Sequence, residues 1–159
     1  MPNPEVLVLL EMVDQAFDHR AWHGTNLKAS LRGVSAKDAA WRPGKSRHNV
    51  WELAVHAAYW KYVARKRILG DKAPFPLKGS NWFARPEPGA ATEKAWKADI
   101  AMLVDIHRAL RATVASLSTA QLRKTPRGSR VNTRDLVVGV AAHDLYHTGQ
   151  IQLIKRLMP

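Results

Sequence analysis

The sequence predicts an all-α protein, a four-helix bundle with a long crossover connection between helices 2 and 3, and three observations predict it. Four segments repeat their apolar residues at spacings of three and four, the period of one helix face, and none sustains the alternation of a half-buried strand. Residues 70–91 separate the second segment from the third and carry Pro74, Pro76, Pro86 and Pro88, which no continuous helix accommodates. The chain has 159 residues, 46% of them hydrophobic. That is enough to bury one core, so residues 1–159 are expected to form a single domain.

Each element has its own signals. The first helical segment spans residues 5–31, with Val6, Leu10, Val13, Phe17, Leu27 and Leu31 on one stripe and an interruption near Arg20 and Gly24. The second opens on Asn49 as N-cap with Glu52 three residues later, a capping-box pattern, and runs to Leu69 before Gly70 ends it. The third follows Thr92 and aligns Trp96, Ile100, Leu103, His107, Leu110, Val114 and Leu117. The fourth starts at Asn132 or Thr133 and continues to the C-terminus through Leu136, Val140, His143, His147, Ile151 and Ile154. Pro43-Gly44 and Pro126 with Gly128 mark the shorter breaks at residues 32–48 and 118–130. Phe75, Trp82 and Phe83 in the long connection predict that it packs down, either crossing the domain from end to end or covering a pocket.

Composition and missing motifs remove several function classes. With no cysteine, thiolate nucleophiles, Fe–S clusters and Cys-ligated zinc are excluded, so any metal must be held by His, Asp or Glu. There is no Gly-x-Ser-x-Gly elbow, no phosphate-cradling glycine loop and no repeated Glu-x-x-His of a di-iron bundle. Met1-Pro-Asn-Pro-Glu lacks the features of a secretory signal, and the longest apolar runs fall short of the ~20 residues of a membrane span, so a cytoplasmic protein with no membrane partner is expected. The formal charge of +12 raises nucleic acid or an anionic small molecule as partners. Two clusters carry it: Lys61, Arg65, Lys66 and Arg67, and then Arg123, Lys124, Arg127, Arg130 and Arg134. No nucleic-acid reading motif accompanies them, and such runs are usually solvated faces, so an anionic small-molecule substrate is preferred to nucleic acid.

Histidines supply the candidate chemistry. His56 points with the apolar face of helix 2, while His143 and His147 stand one turn apart within the stripe of helix 4. Three inward imidazoles from two helices would form a facial site with coordination positions left open. A single inward histidine is more often a hydrogen-bonded core residue than a ligand, so His56 alone decides nothing. Two uncharged imidazoles buried side by side leave polar nitrogens needing partners, which coordination to one ion supplies. Both readings stay open on spacing alone.

The stretches His48-Asn-Val-Trp-Glu-Leu-Ala-Val-His56-Ala-Ala-Tyr-Trp60 and His143-Asp-Leu-Tyr-His147-Thr-Gly-Gln-Ile151, with Trp41-Arg42-Pro43 ahead of them, resemble the signature segments of the DinB/YfiT-like superfamily of metal-dependent enzymes. The resemblance implies a four-helix bundle in which His56, His143 and His147 bind a divalent ion: zinc, nickel or iron. It also implies a homodimer and, from characterised branches, a low-molecular-weight thiol as cosubstrate for an S-transferase or isomerase.

Further residues are weighed beside the trio. Glu52, one turn before His56, is a candidate general base or imidazole acceptor, although capping already explains it. Gln150 returns to the histidine face and could hydrogen-bond a ligand. His107 is expected to be a hydrogen-bonded core residue, and Asp144 to lie on the surface or against a neighbouring helix. Tyr59 and Tyr146 read as packing, while His19, Trp22, His23, Trp82 and Phe83 are candidates for the pocket mouth, with packing as the default. The leading expectation is a metal-dependent enzyme transferring a low-molecular-weight thiol to an electrophile, or hydrolysing one. The alternative is a non-enzymatic helical module whose basic surface binds nucleic acid or protein.

Overall fold

Seven points along the chain carry a side chain that replaces a missing helix-terminal partner. Asn3, Asn26, Ser35, Asn49, Thr92, Ser118 and Asn132 each accept a hydrogen bond from a backbone N–H in the turn that follows. A computed structural model, which describes residues 3–159, shows the helices they start. These are α1 (Pro4–Phe17), α2 (Leu27–Ser30), α3 (Ala36–Ala40), α4 (Val50–Leu69), α5 (Glu93–Ala115), α6 (Thr119–Arg123) and α7 (Thr133–Leu157). Among the described residues there is no strand, and no helix is long and apolar enough to cross a membrane.

The expected single helix over residues 5–31 is corrected to two. The chain leaves helical geometry at Asp18 and turns through Gly24, whose φ of +92 favours glycine. Asn26 fixes the break from both sides, donating to the His19 carbonyl and accepting from the Ala29 N–H that opens α2. The connections at 32–48 and 118–130 contain the short helices α3 and α6. The third segment stops at Ala115, and Leu117 lies beyond it in the approach to Ser118.

Contacts between the long helices fix their directions. Trp51 in the first turn of α4 meets Trp96 (ring centroids 5.2 Å apart) and donates to Asp99 (2.6 Å), both early in α5, so α4 and α5 run the same way. Phe17 stacks on His107 and Asp14 pairs with Arg111, so α1 opposes α5. Residues 70–91 must therefore travel back along a helix of 20 residues, about 30 Å. They do so on α4: Tyr62 donates to the Ala73 carbonyl, Phe75 packs on Tyr59 and Tyr62, and Arg85 reaches Asp99 beside Trp51.

Two apolar clusters make the core. One joins α3, α4, α5 and the C-terminal part of α7 around Trp51, Trp96, Leu103, Phe83 and Ile151. The other joins α1, the C-terminal part of α5, α6 and the N-terminal part of α7 around Val13, Leu110, Leu122 and Val137. On α4 the boundary falls between Ala58 and Ala64, and on α7 between Ala141 and Ile151. His143 and His147 stand inside the second interval, and His56 stands just before the first.

Candidate metal centre

Helices α4 and α7 lie side by side in opposite directions, bringing the His56 ring against those of His143 and His147. The Nε2 of His143 is 3.2 Å from that of His56 and 2.9 Å from that of His147. Ligand nitrogens at about 2.0–2.1 Å from one ion, at angles between octahedral and tetrahedral, are about 2.8–3.4 Å apart. The spacing matches, and the trio forms a group of ligand atoms lying within 4.8 Å of one another.

Oxygen acceptors outside the trio orient two of the rings. His56 Nδ1 donates to the backbone carbonyl of Asn81 at 2.8 Å, and His147 Nδ1 donates to Oε1 of Gln150 at 2.6 Å. With the Nδ1 positions carrying the protons, Nε2 of each neutral ring turns a lone pair toward the common point. Burial favours the neutral form and lowers His56 to about 4 and His143 to about 3, with His147 lowered as well. The imidazoles are thus unprotonated at neutral pH, the state that coordinates a cation.

The long connection closes one side. The Trp82 ring lies between His48 (3.5 Å, 7°) and His56 (3.8 Å, 9°) in a three-ring stack. Asn81 carries a second anchor, its Oδ1 accepting from Trp60 Nε1 at 2.9 Å. Two cavities reach the trio from opposite ends of the α4–α7 groove. One of about 490 Å³ touches His147 and is walled by Leu53, Trp82, Ile154 and Leu157. The other, about 330 Å³, touches His143 between Trp60, Leu136 and Val140.

The remaining expected residues separate. Glu52 completes the capping box, and its carboxylate takes two hydrogen bonds from Arg42 (2.6 and 2.9 Å) and one from His48 (3.0 Å). Burial works to raise this carboxyl, but the bonds from Arg42 and His48 outweigh it and hold it below its usual value. The acceptor on His56 is Asn81, which sequence reasoning missed. Gln150 meets His147 itself. Tyr59 and Phe83 pack with Phe75, Tyr146 is 65% exposed beside the larger cavity, and Trp22 stands wholly in solvent. His19 is exposed on Asp18, and His23 lines a separate cavity on α7, so neither borders the trio.

Two expectations are corrected. His107 is buried and stacked on Phe17 at 3.7 Å, but its Nδ1 has no hydrogen-bond partner. Lys61, counted with a solvated cluster, is 1% exposed and pairs with Asp144 of α7, which is itself wholly buried. Its place between Ala57 and Ala64 on the buried face of α4 turns it inward, and a buried carboxylate makes that tolerable.

A family model described as the DinB superfamily matches residues 19–151. Comparison with curated proteins and with solved structures gave no match.

Proposed function

The chain belongs to the DinB superfamily, and we propose that it is a divalent-metal-dependent enzyme whose ion is held by His56, His143 and His147. One observation carries the reading: three neutral imidazoles direct Nε2 at one point while Asn81 and Gln150 occupy the far nitrogens of two of them. In this reading the four long helices act as a four-helix bundle, and residues 70–91 are its crossover, placing Asn81 and Trp82 on the ligand from α4.

A bound divalent cation, be it zinc, nickel or iron, supplies Lewis acidity that makes deprotonated water or thiol available near neutral pH. The chain's own residues do the rest. The three rings leave open coordination positions, and Leu53, Trp82 and Ile154 keep the approach from His147 apolar. Because the chain has no cysteine, a sulfur nucleophile has to arrive as a low-molecular-weight thiol. Transfer of that thiol to an electrophile is the reaction favoured here, with hydrolysis as the second. The nucleic-acid alternative is weakened by the cationic clusters themselves: Lys61 is buried, Arg65 pairs with Asp71, and Arg123 and Arg134 both pair with Glu5.

Elemental analysis of untagged protein tests the proposal. Close to one equivalent of a divalent transition metal is expected in the wild type and little in His143→Ala/His147→Ala. Equal metal in both proteins would leave a helical module with structural histidines.

A further inference from the structure

The cavity on the His147 side has a chemical signature of its own. Pro43, Leu53, Trp82, Leu153, Ile154 and Leu157 make most of its wall, and no Asp or Glu lines it. Arg47 is the one residue of fixed charge on that wall. Among the described residues its guanidinium makes no ion pair and no hydrogen bond, although two carboxylates are close in the fold. Arg42 takes both of them: Glu52 at 2.6 Å and Glu87 at 3.3 Å. Gln150 contributes a further donor, because its Oε1 is engaged by His147 and its amide N–H groups are left over.

An open apolar groove with an unpaired fork of N–H donors, and with no acid to neutralise it, complements one kind of molecule. A volume of about 490 Å³ lies in the range of small-molecule sites. A carboxylate matches the guanidinium geometrically by two parallel hydrogen bonds, and an aliphatic or aromatic body matches the leucines and Trp82. We propose that this cavity binds an amphipathic carboxylate, with Arg47 as the specificity-determining residue that anchors the acid group while the apolar body lies along Leu53, Ile154 and Leu157 toward His147. Calling this ligand the substrate rests on the metal-enzyme reading above; the binding does not, since Arg47 and the apolar wall need no ion.

Calorimetric titration of the full chain with octanoate and with 1-octanol separates the two ideas. It is done first on chelator-treated protein, so that the carboxylate has no metal to bind, and then on the metal-loaded protein. Octanoate is expected to bind about tenfold more tightly than octanol at low salt, with the advantage shrinking as salt is added. Arg47→Ala removes that advantage and leaves octanol unchanged, and Arg47→Lys restores part of it. Arg47 is exposed, and its substitution is expected to leave the melting curve in place. Equal affinity for acid and alcohol, or octanoate binding unaltered by Arg47→Ala, overturns the anion site whatever the metal content. Arg47-dependent octanoate binding in a protein that takes up no metal supports the site and overturns the enzymatic reading instead.

Discussion

Asn81 holds its backbone at φ +63, a left-handed conformation that costs most side chains roughly 1–2 kcal/mol and glycine nothing comparable. Through that conformation one residue presents its carbonyl to His56 and its side-chain oxygen to Trp60. Acceptors on ligand imidazoles typically change metal affinity about 10–100-fold when lost. Asn81→Ala keeps the strain and drops the Trp60 bond, so the carbonyl is displaced; Asn81→Gly drops the same bond without the strain. Competition against a chelating dye is expected to rank affinity as wild type, then Asn81→Gly, then Asn81→Ala about tenfold or more below wild type. An unchanged Asn81→Ala would mean that the carbonyl does not matter to the site. The histidines were legible in the sequence because helical spacing alone puts residues 143 and 147 on one face. Asn81 was not, since its contribution comes from a main-chain oxygen whose position depends on the path of a proline-rich connection. Lys61 was misread for a related reason: a cation within an apolar stripe turns inward only when a partner waits there, and Asp144 is 83 residues away.

Between elements, the Lys61–Asp144 pair pins α4 to α7 beside the trio, its charges walled off from water. Burial raises the Asp144 carboxyl to about 6 even though Lys61 acts to lower it, so the carboxylate is ionised at neutral pH. Such a pair contributes little net stability compared with apolar residues of the same size, yet removing one partner strands a buried charge. Asp144→Ala is therefore expected to destabilise by about 3–5 kcal/mol, while Lys61→Met/Asp144→Leu lies near wild type or above it. Urea denaturation measures both, and a double variant as unstable as Asp144→Ala would assign the loss to packing rather than charge. Elements were legible where periodicity ran long. The second segment matched α4 from Asn49 to Gly70 because both caps are local. The first did not, since Leu27 and Leu31 resume an apolar spacing beyond the interruption, while α1 already ends at Asp18 and Asn26 caps the start of a separate helix. Helices α3 and α6, five residues each, are too short to show a period at all.

Across the whole molecule the buried bases set how stability responds to acid. Burial is the first cause lowering His56 to about 4, His143 and His107 each to about 3, and His147 below its ordinary value. Unfolding returns each to about 6.5, so below that pH the unfolded chain binds more protons than the folded one, and stability falls as pH falls. Asp144 works the other way between 3.8 and about 6, where burial favours its neutral form, but it is one group against four. Further down, Glu52 and Asp18, both held below their usual values, add to the loss as the unfolded carboxylates take up protons. A chain of +12 also becomes more positive throughout, which adds self-repulsion. Chelator-treated protein is thus expected to lose melting temperature steadily from pH 6.5 to 4.5. His107 allows the effect to be separated from the candidate metal centre, because it stacks on Phe17 and does not belong to the trio. His107→Phe keeps a flat ring there and removes one titrating base. The slope of stability against pH should then decrease by close to one proton, about 1.4 kcal/mol per pH unit within that window, with metal content unchanged. Parallel curves for variant and wild type would show that His107 is not held neutral by its burial, and the depressed basicity of the trio would then need direct titration.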